Sequence, residues 1–246
     1  PYQGFRLAFN ELAKQLLAET DKSLGVWRER LYEALGPNAQ IVQEMAPGFQ
    51  WILGEYPPPP LLTTDEAANR FLHTWRVFIK LVAGGDHPLV LFLDDLQWAD
   101  NASLRLLELL LPDPELQSLC FIGAYRDNEI RPAHPLMHLV AQMQKNLPVH
   151  EIGLSPLALE DVGLLLSDTF NATPVASDGL ARLLVAKTEG NPFFLTQSLK
   201  SLCEEGLIRF NKEKEAWNWD LERISAMNIT DNVVELLIGN IRRLSE

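Results

Sequence analysis

Two adjacent carboxylates, Asp94 and Asp95, follow directly on the apolar run Pro88–Leu93. Such a run, bounded by turn residues, reads as a strand buried on both faces. Carboxylates at its end put negative charge at the carboxyl edge of a sheet, where parallel α/β sheets bind their ligands. A hard cation such as magnesium takes oxygen ligands and usually keeps waters, so one strand-end carboxylate can hold it against phosphate oxygens. Asp94 is the candidate metal ligand, and Asp95 the candidate to orient an attacking water. The same two side chains could instead do no more than cap the turn that follows. A second apolar run, Leu119–Tyr125, is followed by Arg126. Its planar guanidinium suits a terminal phosphate, and a lone arginine after a strand is equally at home in a surface ion pair. The third candidate is Gly190-Asn191-Pro192, which by itself is a helix stop followed by proline at the first position of the next helix.

Periodicity indicates the elements that must position these residues. Phe5, Phe9, Leu12, Leu16 and Leu17 recur at helical spacing, and a second helix is expected over Val26–Leu35, halted by Gly36-Pro37. The prolines Pro57–Pro60 favour an extended, rigid connector. Thr63 with Glu66 three residues later forms a capping box. The helix it opens sets Ala67, Phe71, Trp75, Phe78, Ile79 and Val82 on one face and ends at Gly84-Gly85. His73 on this helix is isolated and reads as a satisfied or solvent-facing side chain. Asp100 or Asn101 can cap the next helix, which Pro112 halts. Val149–Leu154 is a third, weaker apolar run. Strand, helix and strand in this order imply a parallel sheet with covering helices. After Ser155-Pro156 the pattern changes to short helices over Leu157–Phe170, Ser177–Thr188 and Pro192–Glu205, with Gly190 and Gly206 placed as helix-ending residues. A hairpin of Leu207–Phe210 with Ala216–Trp219 and a last helix, Asp231–Leu244, complete the expectation.

Composition narrows the partners. The 246 residues carry 33 acidic against 21 basic side chains, a net charge of -12. Nucleic-acid binding needs clustered Lys and Arg to displace counterions, so direct contact with nucleic acid is not expected. A basic membrane-surface role is not expected either, and no apolar run reaches the roughly 20 residues of a membrane helix. Cys120 and Cys203 lie in apolar surroundings without a CxxC pattern, which suggests buried, reduced thiols and a cytoplasmic setting. The chain opens on Pro1 without an initiator Met, and Tyr2–Ala18 already reads as structured domain, so a start inside a longer protein is expected.

The segment Asp94-Asp95-Leu96-Gln97-Trp98-Ala99-Asp100 closely resembles the Walker B segment of the STAND group of signalling ATPases, relatives of the AAA proteins. One strand later the family places a polar or arginine sensor, and Arg126 in Gly123-Ala124-Tyr125-Arg126-Asp127-Asn128-Glu129 matches that position. Gly190-Asn191-Pro192-Phe193-Phe194 is similar to the Gly-x-Pro step of the family's helical lid, where the proline lies near the nucleotide base. Pro1-Tyr2-Gln3-Gly4-Phe5 and Arg70-Phe71 also look like this family, as found in large bacterial hybrids that join a kinase-like domain, this module, a GAF sensor and a histidine kinase.

The resemblance implies a P-loop NTPase core over 1–154, a helical lid over 155–206 and the start of a winged-helix-like segment over 207–246. It implies ATP and magnesium as ligands: Asp94 on the metal, Asp95 polarising water, Arg126 on the terminal phosphate, and Gly190, Asn191 and Pro192 framing the base. It implies neighbouring domains of a parent protein as partners. The fold expected is therefore α/β, a partial P-loop sheet followed by helices.

One departure limits the activity. A P-loop needs Gly-Lys-Ser/Thr, whose amides and lysine cradle phosphates, and none of the 14 glycines is followed by lysine. In the family that loop lies upstream of a segment like Pro1–Phe5, and its strand lies between those matching Leu119–Tyr125 and Val149–Leu154. The rival class is a non-catalytic module that keeps the fold and couples neighbouring domains. A hydrolase or oxidoreductase is disfavoured, since neither Gly-x-Ser-x-Gly nor Gly-x-Gly-x-x-Gly occurs. An acidic strand edge without the compensating lysine repels phosphates. Calorimetry of the 246-residue chain with Mg-ATP is therefore expected to show no low-micromolar binding; such binding would overturn this account of the missing loop.

Overall fold

The computed structural model describes residues 1–226 apart from Pro58, Leu61, Gly85 and Asp86. The helix expected over Asp231–Leu244 lies outside the described residues. The chain divides into two compact units, Pro1–His150 and Glu151–Glu246.

In the first unit, helices α1 (Gln3–Leu17), α2 (Asp21–Leu35), α3 (Ala39–Met45), α4 (Gln50–Leu53) and α5 (Thr64–Val82) precede strand β1 (Leu89–Leu93). Helix α6 (Asn101–Leu110), strand β2 (Leu119–Gly123) and helix α7 (Pro135–Asn146) follow. Local chemistry accounts for the helix starts. Thr20 caps α2 by accepting the Ser23 N–H at 3.3 Å, so α2 begins five residues before the apolar periodicity expected from Val26. Thr63 and Glu66 make the expected capping box, with the Thr63 N–H donating to Glu66 at 3.0 Å. Helices α3 and α4 were not expected. Each is only one or two turns long, too short for a periodic signal.

An aromatic core holds the helices together. Phe5, Phe9, Ala13 and Leu16 form the buried stripe of α1. Phe9 stacks on Trp75 at 4.7 Å and meets Phe78 edge-on at 5.5 Å, and Phe78 in turn meets Phe49 at 5.0 Å. Arg76 of α5 pairs with Asp113 and, at 3.1 Å, with Glu115, tying α5 to the loop after α6.

Strands β1 and β2 pair in parallel, with Leu89 opposite Leu119 and Leu93 opposite Gly123. Two expectations need correction here. Val149–Leu154 forms no strand in the structure, and Ile152 and Leu154 are 84% and 92% exposed. The sheet is also not buried on both faces. Leu91 and Leu93 face the core, whereas Val90 and Phe92 on the opposite face are 60% and 54% exposed, beside exposed Ile122 and Cys120 of β2. A strand of alternating environment carries apolar residues on both faces here, so the sequence looked like a fully covered one. Both cysteines are free and exposed, not buried as expected.

The second unit comprises α8 (Leu159–Phe170), α9 (Pro174–Thr188), α10 (Pro192–Glu204), the antiparallel hairpin β3 (Ile208–Asn211) and β4 (Ala216–Trp219), and α11 (Leu221–Ala226). Val162, Leu166, Leu180, Leu184, Leu195 and Leu202 form its core, with Phe170 packed against Trp217 and Trp219. The described residues form a mostly helical α/β arrangement with one small parallel and one small antiparallel pair.

Trp75 is fully buried among Phe9, Phe71 and Phe78. Trp75→Ala should lower stability by about 3–5 kcal/mol, read as a fall in the urea midpoint. A shift under about 1 kcal/mol would mean that the aromatic core is not what holds the first unit together.

Candidate functional site

Parallel pairing sets the carboxyl ends of β1 and β2 side by side. Two backbone hydrogen bonds continue the ladder past the strands: Ala124 N–H to Leu93 O and Leu96 N–H to Ala124 O, both 2.9 Å. They fold the turn after β1 across the end of β2. Leu96 packs closely over Gly123, where a Cβ would stand 2.5 Å from its methyl and would push that side chain aside.

Asp94 and Asp95 occupy that turn. Asp94 is exposed, and its Oδ1 accepts the Asp95 N–H at 2.8 Å. Asp95 is in the left-handed region, with φ 53° and ψ 41°. This conformation is uncommon for a side-chain-bearing residue, though aspartate tolerates it better than most. The turn after it, Leu96–Trp98, is one turn of 3-10 helix. Gln97 is only 6% exposed. Its Nε2 donates to Asp95 Oδ1 at 2.8 Å, and its Oε1 accepts the Arg126 N–H at 3.2 Å.

Arg126 comes to the same edge. Its Nε lies 3.7 Å from Asp95 Oδ1, its Nη1 donates to Glu129 Oε1 at 3.0 Å, and its guanidinium carbon lies 5.4 Å from the centre of the Trp98 ring. The ion pair that an isolated arginine would be expected to make is thus present, and one of its partners is the candidate water-orienting carboxylate. Sequence reasoning gave no role to Gln97, Trp98 or Glu129. The only available signal was an amide between the apolar Leu96 and Trp98, two residues after the acidic pair.

Asp100 closes the turn as the cap of α6. Its Oδ1 accepts the Ser103 N–H at 2.9 Å, and its Oδ2 accepts the Ser103 hydroxyl and, at 2.8 Å, the Tyr2 N–H. Burial pushes the Asp100 carboxyl up, but the bonds from Ser103 and Tyr2 outweigh it and hold the group below its ordinary range.

Among the described residues, no group of three or more His, Cys, Asp or Glu side chains could hold a metal by itself. An exposed carboxylate such as Asp94 nevertheless fits magnesium, whose remaining ligands are ordinarily waters and phosphate oxygens.

Gly190, Asn191 and Pro192 belong to the second unit. Gly190 has φ 73°, and a Cβ there would approach Leu157 O to 2.2 Å, so only glycine fits. Leu157 N–H donates to Gly190 O at 2.8 Å. Asn191 caps α10 by accepting the Phe193 and Phe194 N–H groups, with Pro192 at its first position. Helix termination and capping account for all three residues.

Residues 1–122 match the AAA ATPase domain family. The AAA ATPase match takes in β1, Asp94, Asp95 and nearly all of β2; Arg126 and Gly190–Pro192 lie beyond its end. The hybrid signal transduction histidine kinase G of Dictyostelium discoideum is 27% identical over a 309-residue alignment that includes the whole of this chain. The chain spans only 9% of the length of that relative. No solved structure matches. No described helix is long and apolar enough to cross a membrane.

The Asp100 bonds carry a pH dependence. Its folded pKa is depressed, so the stability it contributes is present above its unfolded value of about 3.9 and is lost as pH falls through the folded one. Asp100→Ala should cost about 1 kcal/mol at neutral pH, as for other helix caps, and the difference from wild type should shrink below about pH 4. Urea titrations at both pH values check this; a pH-independent difference would show that the charged form of the cap is not what stabilises the turn.

Proposed function

We propose that the chain is part of an ATP-binding and ATP-hydrolysing switch module in a multidomain, cytoplasmic signalling protein. In this reading 1–154 is the NTPase core, 155–206 the helical lid and 207–246 the start of a winged-helix-like segment. The single observation that carries the proposal is the meeting of Asp94, Asp95 and Arg126 at one edge of the β1–β2 pair, within and just beyond the AAA ATPase match. The hybrid histidine kinase relative supports a signalling context with neighbouring domains as partners.

Asp94 would be the protein's carboxylate on magnesium, which neutralises phosphate charge and orients the nucleotide. Asp95 would orient and deprotonate the attacking water. Arg126 would leave its present partners for the terminal phosphate, and Gly190, Asn191 and Pro192 would frame the base. The phosphate-cradling loop would come from sequence upstream, since no Gly-Lys-Ser/Thr occurs in the 246 residues. That same fact favours the second reading, a non-catalytic module coupling its neighbours; an intact loop upstream in the gene decides against it.

The test uses the chain extended upstream through that loop. Asp94→Ala should weaken magnesium-dependent nucleotide binding. Asp95→Asn should spare binding and slow hydrolysis, because an amide cannot take a proton from water. Arg126→Ala should narrow the preference for ATP over ADP by roughly 10- to 150-fold, the worth of a charge-assisted contact. Titration calorimetry and a phosphate-release assay measure all three. An Arg126→Ala protein with unchanged ATP-over-ADP preference would remove the sensor from the scheme.

A further inference from the structure

The acid and the arginine come from different strands, and nothing in their own ion pair fixes them well. Asp95 Oδ1 and Arg126 Nε are 3.7 Å apart, with both side chains partly solvated. Such a pair contributes little and holds its geometry loosely. Gln97 is the better connection. It is almost wholly buried at the end of the sheet, and a primary amide is buried there at small cost only because both of its ends are bonded. One end donates to the Asp95 carboxylate, and the other accepts the backbone N–H of Arg126. The two backbone bonds beside it, Ala124 N–H to Leu93 O and Leu96 N–H to Ala124 O, hold the turns but touch neither functional side chain.

We propose that Gln97 is a positioning residue whose side-chain amide fixes the Asp95 carboxylate to the backbone of Arg126, so that the acid of β1 and the arginine after β2 are set as one unit. It acts through Asp95 and Arg126 and not on a substrate directly. Asp95 has a left-handed backbone and its side chain makes no cap hydrogen bond to the 3-10 turn that follows, so the Gln97 amide is the firmer of its carboxylate's two restraints, the other being the 3.7 Å ion pair. An amide suits this place better than any charged side chain. It offers a donor to the carboxylate and an acceptor to the N–H at the same time, without adding charge beside Asp94 and Asp95. The catalytic part of the inference rests on the function proposed above; the structural link does not.

Two variants separate the ends of the amide. Gln97→Met keeps the length and removes both bonds. Gln97→Glu keeps the oxygen that accepts the Arg126 N–H and replaces the donor to Asp95 with a repelling carboxylate. In the 246-residue chain, amide hydrogen exchange at Arg126 should quicken about fivefold in Gln97→Met, the worth of one ordinary hydrogen bond, and stay within about twofold in Gln97→Glu. The Ala124 amide, bonded to Leu93, should exchange at the wild-type rate in both. Unchanged exchange at Arg126 in Gln97→Met overturns the link, as does parallel quickening at Ala124, which would mean that the whole turn has loosened.

In the upstream-extended protein, both variants should lower kcat for Mg-ATP about tenfold or more while Kd for Mg-ATP stays within about threefold, because orientation and not binding is lost. Parallel loss of binding and turnover would leave Gln97 a purely structural residue and overturn the positioning role. If the wild-type extended protein neither binds nor hydrolyses Mg-ATP, the proposed function fails, and the exchange rates at Arg126 alone decide whether the link exists.

Discussion

Strands β1 and β2, five residues each, run in parallel with Leu93 opposite Gly123, and the residues that follow them therefore emerge at one edge of the sheet. An antiparallel pair, or a parallel pair shifted by two residues, would separate Asp95 from Arg126 by several ångströms along the strand. The register is held from both sides. Leu91 and Leu93 must face the core, and a shift of one residue would turn Val90 and Phe92 inward in their place. Beyond the strands, Leu96 rests where Gly123 has no side chain, which draws the acidic turn across the end of β2. The contacts of Arg126 with Asp95, Gln97 and Trp98 all descend from that pairing.

The two strands have little to spare. Pairs of strands are marginal by themselves and need a hydrophobic face packed against something else. Here the packing comes from one side: a Cβ added at Gly4, at the start of α1, would stand in ordinary contact with a methyl of Leu93, at 3.4 Å, and Leu104, Leu106 and Leu107 of α6 are buried in the same core. The aromatic cluster of Phe9, Phe49, Trp75 and Phe78 gives α1 and α5 a rigid base from which to support the sheet. Asp100 adds a local tie, since it both caps α6 and accepts the Tyr2 N–H at the head of α1. The turn carrying the candidate chemistry is therefore braced by the first helix as well as by its own strand.

Much of this was legible in the sequence because it depends on local rules. The capping box of Thr63 and Glu66, the strand runs ending in Asp94 and Arg126, the Gly190 stop and the short hairpin all follow from chemistry within a few residues. What was not legible depends on partners far away in the chain. Val149–Leu154 has the composition of a strand but pairs with none of the described strands, and composition alone cannot supply a partner. Cys120 sits in an apolar run yet lies on the open face, because which face is covered is decided by tertiary packing. Gln97 lies within the Walker B-like segment, but nothing in the sequence gave it a role of its own. Its importance appears only when Arg126, 29 positions later, brings a backbone N–H to its oxygen.

The arrangement around Arg126 also bears on how a switch of the proposed kind could work. The guanidinium shares itself among Asp95, Glu129 and the face of Trp98, and each of these contacts is exposed and weak. An anion that took the arginine would have to displace only weak interactions, so the exchange of partners needs little energy. The backbone of the same residue is held by Gln97 and does not have to move. Release of the side chain would leave Asp95 with its amide bond and without its nearby positive charge, at the moment when a base is required beside the attacking water. A ligand shifts an equilibrium only by its difference in affinity for the two states. In the proposed switch, a loosely held side chain on a backbone held by Gln97 would let a phosphate take the arginine while the acid stays in register.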